Sequence, residues 1–257
     1  MNNSAIRVLE LLELFSEADE PLTVSDIVRK LGYPKTSVFD IVSILCERGF
    51  IRRENERAKT YVIGPKAYLV GMSYLRKNNL YTIAHPILEG LRDELGQTCY
   101  LAVADNGFVI YLDKVESSQP IRSTCTIGSK NPMYLTGLGK AMLAALPEEE
   151  VLRIAARGME PHTDRTITTP EALLADLRET RRRGCAFDMG ENHSYVRCTA
   201  APVRDATGKV CAAISTAMLD ADFTDSMRER SAKLVVSAAM KISRLLGFCK
   251  DKLYDEN

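Results

Sequence analysis

Residues 22–63 read LTVSDIVRKLGYPKTSVFDIVSILCERGFIRRENERAKTYVI. Apolar residues recur at helical spacing on both sides of the turn Gly32-Tyr33-Pro34, and a charged turn then separates two strand-like runs. Two short helices followed by a β-hairpin form a winged helix-turn-helix. The stretch therefore predicts a domain that places its second helix in the major groove of DNA.

Local signals set the bounds of these elements. Thr23 is suited to cap the first helix, with Asp26 completing a capping box. Gly32 fits the position just past that helix, and Pro34 the first position of the next. A preceding helix over Ser4–Ser16 is expected to pack beneath. Its predicted apolar face is Val8, Leu9, Leu11, Leu12 and Phe15, and that of the second helix is Val38, Ile41, Val42 and Leu45.

The polar residues of the second helix and of the hairpin are the candidate DNA contacts. Asp40 would repel phosphate but can accept a hydrogen bond from cytosine. Two interpretations of Phe39 stay open, contact with a thymine methyl group or packing against the first helix. The candidates on the helix are Lys35, Thr36, Ser37, Phe39, Asp40 and Ser43, and those on the hairpin are Arg52, Arg53 and Lys59.

The distribution of charge agrees with this placement. The whole chain is neutral, with 34 basic and 34 acidic side chains. Residues 1–26 carry one basic and six acidic side chains, whereas residues 27–66 carry nine basic and four acidic ones. A basic patch is what phosphate contact requires. The modest charge predicts weak binding by one domain, and hence a dimer that reads two half-sites.

Composition excludes several other classes of protein. No apolar run is long enough to span a membrane, and no secretory signal is visible. The seven cysteines are scattered, without a C-x-x-C pair, which indicates reduced thiols and a cytoplasmic location. No phosphate-binding, metalloprotease or hydrolase motif is present, so the sequence predicts no cofactor, no metal site and no catalytic residue.

The rest of the chain indicates an α+β domain. We expect a DNA-binding domain over 1–64, a linker helix over 65–77, an effector-binding and oligomerisation domain over 78–250, and a tail over 251–257. Strand-like runs linked mainly by hairpins predict an antiparallel sheet, with helices collected on one side. The predicted strands cover 98–104, 108–115, 121–127, 184–188, 196–203 and 210–219, and helices are predicted over 80–95, 137–146, 147–157, 170–183 and 223–246.

Several motifs in order resemble the IclR family of bacterial transcription regulators. They are the winged segment, GSKNPMYLTGLGKAMLAALP (128–147), and RRGCAFDMGENHSYVRCTAAPVRDATGKVCAAIS (182–215). The resemblance implies a GAF-like or profilin-like sheet that holds a small organic acid as effector. It also implies a homodimer or homotetramer on a partly palindromic operator in double-stranded DNA, with no membrane partner.

The resemblance also implies a set of effector-binding residues. Ala217 stands where the family often has a second hydroxyl group, and Asn131 where it usually has an apolar residue. Tyr195 replaces an expected glycine, and we expect its ring to narrow the mouth of the pocket. The implied residues are Asn131, Gly137, Leu138, Asp188, Val196, Cys198, Ser215 and Ala217.

Two other functions remain open at this stage. A GAF-like small-molecule enzyme would use Cys198 as nucleophile and His193 as its base, although no third orienting group is identifiable. A sensor or adaptor that does not bind DNA is the other alternative. A metal site formed by His162, Asp164 and His193 has no ligand spacing to support it.

Overall fold

The structure of this protein is a computed structural model that forms two compact units, Met1–Asn78 and Asn79–Asn257. Each unit has its own core and is described by itself. The structure describes residues 3–55, 57–77, 79–120, 122 and 125–254.

The amino-terminal unit consists of three helices, a small sheet and a fourth helix. Its strands form an antiparallel sheet in the order β1-β3-β2. The elements are α1 (Asn3–Glu17), β1 (Leu22–Thr23), α2 (Val24–Leu31), α3 (Lys35–Glu47), β2 (Ile51–Asn55), β3 (Thr60–Ile63) and α4 (Pro65–Lys77). This is the predicted winged helix-turn-helix.

The expected start and stop signals surround α2. The Thr23 hydroxyl accepts a hydrogen bond from the Asp26 amide at 3.1 Å, and the Asp26 carboxylate accepts one from the Thr23 amide at 3.0 Å. Gly32 follows with a φ of 71°, which a residue without a side chain adopts at little cost. Pro34 caps α3 rather than occupying its first turn, because helical geometry begins one residue later, at Lys35.

The core of this unit contains the predicted stripe of α3. Val38, Ile41, Val42 and Leu45 are all buried, as are Leu11 and Phe15 of α1. The prediction for Leu9 was wrong, since this side chain is 59% exposed. Leu9 and Leu11 are about 200° apart around a helix, so the two cannot face the same core.

The carboxy-terminal unit is built on a six-stranded antiparallel sheet in the order β6-β5-β4-β9-β8-β7. Short 3-10 helices cover Met133–Leu135 and Asp220–Asp222. The other elements are α5 (Leu80–Leu95), β4 (Thr98–Asp105), β5 (Phe108–Val115), β6 (Lys130–Pro132), α6 (Gly137–Leu143), α7 (Glu148–Ala155), α8 (Pro170–Arg183), β7 (Ala186–Asp188), β8 (Val196–Arg204), β9 (Val210–Leu219) and α9 (Asp225–Leu245). The predicted α+β class is confirmed.

Helices cover both faces of this sheet, so the expectation that they collect on one side was wrong. Leu101 of β4 packs with α5 and α9, whereas its neighbours Tyr100 and Ala102 pack with α6 to α8. Successive side chains of a strand point to opposite faces, and β4 is apolar on both over most of its length. Each apolar face needs its own covering layer.

The third strand lies later in the chain than expected. Positions 121, 123 and 124 of the predicted strand lie outside the described residues, and 125–127 are not in a strand. Instead β6 pairs with β5, with Asn131 opposite Val109. The pattern of polar and apolar residues over 121–127 suggested a strand, but the Ile127 side chain is exposed and does not pack in a core.

The segment that we expected to be a tail contributes to the core. Leu253 and Tyr254 are buried. The Tyr254 hydroxyl donates a hydrogen bond to the Ala141 carbonyl at 3.0 Å, and Arg204 Nε donates to the Leu253 carbonyl at 2.5 Å. Residues 255–257 lie outside the described part of the chain. None of the helices that the structure describes is long and apolar enough to cross a membrane.

Candidate functional site

The outer face of α3 is accessible. Lys35, Thr36, Phe39, Asp40 and Ser43 are exposed, while the opposite face of the helix is buried in the core. Positions three and four apart share one face of a helix, so the exposed side chains form a continuous strip. This strip contains five of the candidate DNA contacts, and their role stays a prediction.

Two of the hydroxyl groups on α3 already have partners within the unit. Ser37 is half-buried and accepts a hydrogen bond from Arg7 Nη1 of α1 at 3.2 Å. Ser43 donates to the Phe39 carbonyl at 2.8 Å, a contact within the helix. Phe39 itself is 57% exposed. Its exposure favours contact with a thymine methyl group of DNA over packing against the first helix.

The hairpin β2–β3 carries the basic side chains of the wing. Arg52 forms an ion pair with Glu54, and Arg53 lies over the ring of Tyr61, with 5.6 Å between the guanidinium carbon and the ring centroid. Lys59 is exposed in the turn between the strands, with a φ of 52°. The candidate DNA contacts thus occupy one helix face and one hairpin of the same unit.

A second site lies in the carboxy-terminal unit, where one cavity of about 60 Å³ opens on the α6 side of the sheet. We call it the effector cavity. All eight residues of the implied effector set line it, namely Asn131, Gly137, Leu138, Asp188, Val196, Cys198, Ser215 and Ala217. Their role as ligand contacts stays a prediction.

Strand register explains how distant positions meet at this cavity. Ser215 of β9 lies opposite Tyr100 of β4, and Ala217 lies opposite Cys198 of β8. Cys198 in turn lies opposite Asp188 of β7. Residues opposite each other in an antiparallel pair point to the same face, so four neighbouring strands present these side chains on one face of the sheet, in two adjacent rows.

The start of α6 closes the cavity from above the sheet. Thr136 caps this helix by accepting a hydrogen bond from the Gly139 amide at 3.0 Å. A Cβ atom at Gly137 would lie 3.4 Å from the Cβ atoms of both Cys198 and Ala200. Glycine at this position therefore lets the helix approach the sheet closely.

Sequence reasoning missed several residues that line the cavity. Tyr100 and Tyr111 meet edge to face with their ring centroids 5.6 Å apart, and burial raises the pKa of Tyr111. Alternation along β4 and β5 could have placed each ring on the correct face of its strand. It does not give the strand register that puts Tyr100 opposite Ser215. The missed residues are Tyr100, Tyr111, Cys125, Thr136 and Asn192, whereas His193 was named only as the base of the enzyme alternative.

His193, rather than the expected Tyr195, lines the effector cavity. Tyr195 is 61% exposed and is not among the residues that line the cavity. His193 lines the cavity instead and stacks on Tyr195, with ring centroids 5.9 Å apart. The loop between β7 and β8 therefore presents an imidazole rather than a phenol to a ligand.

Cys198 and His193 line the same cavity, as the enzyme alternative requires. However, burial raises the pKa of Cys198 well above its usual value. The thiolate is the nucleophilic form of cysteine, so this environment does not activate the side chain. Among the described residues, no three His, Cys, Asp or Glu side chains are grouped to hold a metal ion.

A larger groove of about 770 Å³ lies between α8, α9 and residues 251–254. Its arginines are largely engaged in contacts. Arg181 pairs with Glu148 at 3.5 Å and donates to the Ala144 carbonyl, and Arg182 pairs with Glu179 at 2.6 Å. The smaller effector cavity, in contrast, is lined by the uncharged donors Asn131, Thr136 and Ser215.

Comparisons with known proteins agree over nearly the whole chain. The IclR helix-turn-helix domain matches residues 4–55, and the bacterial transcriptional regulator IclR C-terminal domain matches residues 72–244. The transcriptional repressor IclR of Escherichia coli (strain K12) is 34% identical over 247 residues, which cover 95% of this chain and 90% of that protein.

Solved structures show the same architecture. The crystal structure of Thermotoga maritima IclR has a TM-score of 0.75 at 30% identity and covers 96% of this chain and 100% of that one. An IclR homolog from Microbacterium hydrocarbonoxydans, crystallised with 4-hydroxybenzoate, has a TM-score of 0.83 at 22% identity over 95% and 99% of the two chains. At 22% identity the likeness concerns the fold alone.

Proposed function

Because this chain belongs to the IclR family of bacterial transcriptional regulators, we propose that it is a DNA-binding regulator whose affinity for its operator is controlled by a small organic anion in the effector cavity. The convergence of eight implied residues, from five segments of the chain, on one cavity carries this proposal. The exposed strip on α3 supplies the contact with DNA.

The proposed DNA complex is a homo-oligomer on a partly palindromic operator. Each winged domain inserts α3 into the major groove, and Arg52, Arg53 and Lys59 of the wing approach the phosphates. Contacts to phosphate give affinity and orientation, whereas contacts to base edges give sequence preference. Repression is the mode we propose, since the Escherichia coli relative is a transcriptional repressor.

Control by the effector requires a difference in affinity between two arrangements of the oligomer. A ligand shifts an equilibrium only by as much as it prefers one state over the other. The same coupling acts in both directions, so operator DNA must change effector affinity by the same factor. This reciprocity gives a thermodynamic test that does not depend on which arrangement binds the effector.

The test of the DNA-binding site uses a double variant of α3. Lys35→Ala with Thr36→Ala removes two exposed side chains from the start of the helix, where no packing is lost. We expect the loss of sequence-specific, salt-sensitive binding to promoter fragments, measured by fluorescence anisotropy. Retention of both properties would remove α3 from the proposal. Lys241→Ala, an exposed site on α9, is the matched control.

The test of the effector cavity uses Ser215→Ala together with Cys198→Leu. The pair removes a hydroxyl donor and fills part of the cavity with a larger side chain. A panel of small carboxylates, including the 4-hydroxybenzoate bound by the Microbacterium hydrocarbonoxydans homologue, is screened for release of the operator. Unchanged affinity of an active carboxylate in this variant would exclude the cavity.

The alternative functions have weaker support. The surroundings of Cys198 favour a neutral thiol, and the matching domain families are those of transcriptional regulators. A sensor without DNA binding would leave the exposed strip of α3 and the basic side chains of the hairpin without a role. Absence of any band shift with genomic promoter fragments would favour that sensor.

A further inference from the structure

A cluster of buried charges lies directly behind the effector cavity. Lys140 of α6 has no solvent exposure, although it carries an ammonium group. This group forms an ion pair with Glu191, in the loop after β7, and a second one with Asp176 of α8 at 3.3 Å. Buried charges are tolerated only when they are paired, so this cation is committed to these two carboxylates.

Asp188 is the member of this cluster that lines the cavity. Its Oδ1 accepts hydrogen bonds from the amides of Gly190 and Glu191, each at 2.9 Å. The Glu191 carboxylate has its own donors, the ammonium of Lys140 and the amide of Met189. If Asp188 were ionised, a second buried carboxylate would stand beside Glu191 without a cation of its own.

We propose that Asp188 stands in the effector cavity as a neutral carboxylic acid, that Glu191, paired with Lys140, keeps it neutral by accepting its proton in a hydrogen bond, and that this neutrality lets the cavity hold a carboxylate ligand. This inference deepens the proposed function and rests on it for the presence of a ligand. Asp188 then lines the cavity without a negative charge, so that an anion can bind there, and Lys140 and Glu191 are positioning residues that act through it.

The electrostatics of the two acids support this assignment. Burial, followed by the hydrogen bond and the negative charge of Glu191, raises the pKa of Asp188 well above its usual range. Burial also acts to raise the pKa of Glu191, but the hydrogen bond from Asp188 and the charge of Lys140 outweigh it and leave that pKa lowered. One proton is therefore held by Asp188 and shared with an ionised Glu191.

Other titratable groups face Asp188 from each element around it. The thiols of Cys198 and Cys125 and the phenol of Tyr111 are neutral at physiological pH, because burial raises the pKa of each. Lys140 is the cation that lies nearest in this cluster, and its charge is balanced by two carboxylates. The groups are Lys140 from α6, Asp176 from α8, Glu191 and His193 from the loop after β7, Cys198 from β8, Tyr111 from β5 and Cys125 from the segment after β5.

The proposal predicts the sign of the pH dependence. Below its raised pKa, Asp188 is neutral, and a carboxylate ligand meets no like charge. Above that pKa, the ionised side chain repels the ligand, and the association constant falls toward about tenfold for each pH unit. Asparagine can also donate a hydrogen bond to Glu191 and cannot ionise, so the affinity of Asp188→Asn for a carboxylate should not decline in this way as the pH rises.

The decisive experiment needs neither ligand nor operator. Infrared spectroscopy of the full-length protein at pH 7 separates the C=O stretch of a protonated buried carboxyl group from the carboxylate bands. We expect one such band in the wild type and its loss in Asp188→Asn. In Glu191→Gln, Lys140 becomes available to Asp188, so the band should also weaken and the titration of Asp188 should move to lower pH.

The outcomes separate this inference from the proposed function. If the wild type lacks a protonated carboxyl band that Asp188→Asn removes, the inference is overturned, while operator binding and its control by a ligand remain possible. If Glu191→Gln does not fold, the comparison of Asp188→Asn with the wild type still decides. Binding of 4-hydroxybenzoate and acetate at several pH values then checks the slope, with Ser215→Ala as the control that lowers affinity but keeps the slope.

Discussion

Replacing Lys59 in the turn of the wing with glutamine should change the salt dependence of operator binding by a calculable amount. Glutamine removes the charge, and its side chain meets the same strain as lysine at a φ of 52°, so the turn should keep its shape. Lys59 is exposed and lies on the hairpin that also carries Arg52 and Arg53. In the proposed dimer the substitution removes one phosphate contact from each protomer.

The magnitude follows from the release of counterions. Each phosphate contact contributes about 0.9 to the slope of log K against log salt, so two lost contacts make the slope about 1.8 less steep. Between about 50 and 200 mM salt, the wild type should therefore lose about twelvefold more affinity than the variant. A monomer on DNA would give half this change in slope, so the value also reports the number of wings in contact.

The assay is fluorescence anisotropy with a fixed duplex, selected from random sequences by the wild type, over a series of salt concentrations. Lys241→Gln removes the same charge from the exposed face of α9 and should leave the slope unchanged. A slope for Lys59→Gln within error of the wild type would refute the placement of the wing against phosphates. Equal changes in both variants would attribute the effect to net charge alone.

Three further substitutions or treatments test the fold and the cavity. Thr23→Ala removes the capping box of α2 and should lower the free energy of unfolding of the amino-terminal unit by about 1 kcal/mol, measured by urea denaturation. Gly139→Ala would place a Cβ atom 2.1 Å from the Met133 carbonyl oxygen. We therefore expect the free energy of unfolding of the carboxy-terminal unit to fall by about 3 kcal/mol or more, with that of the amino-terminal unit unchanged. Iodoacetamide at pH 7 should modify the exposed Cys249 well before Cys198, as followed by mass spectrometry, and equal rates would contradict the burial of the cavity thiol.

Much of the amino-terminal unit could be predicted because its signals are local. The capping pair Thr23 and Asp26, the left-handed Gly32 and the stripe from Val38 to Leu45 each act within one or two helical turns. The failures had equally local causes. Leu9 was placed on the wrong side of α1, and the start of α3 was placed one residue early, because Pro34 suits both the cap and the first turn.

The position of the third strand and the placement of helices on both faces of the sheet depend on longer-range packing. The apolar character of β4 on both faces was visible, but not which helices would cover each face. Similarly, the burial of Leu253 and Tyr254 depends on contacts with Arg204 and Ala141, which are distant in sequence. Such contacts leave no periodic pattern near the residues that make them.

The sequence by itself determined the two kinds of domain and the winged helix-turn-helix with its exposed strip, because periodicity and capping are properties of short segments. The eight effector residues were implied by the resemblance of ordered motifs to the IclR family. Only the tertiary structure decided that Tyr100 and Tyr111 line the effector cavity, and that Lys140 is buried against Glu191 behind Asp188. Strand register and the approach of α6 to the sheet create these neighbours, and the charge of a buried carboxyl group depends on neighbours rather than on its place in the chain.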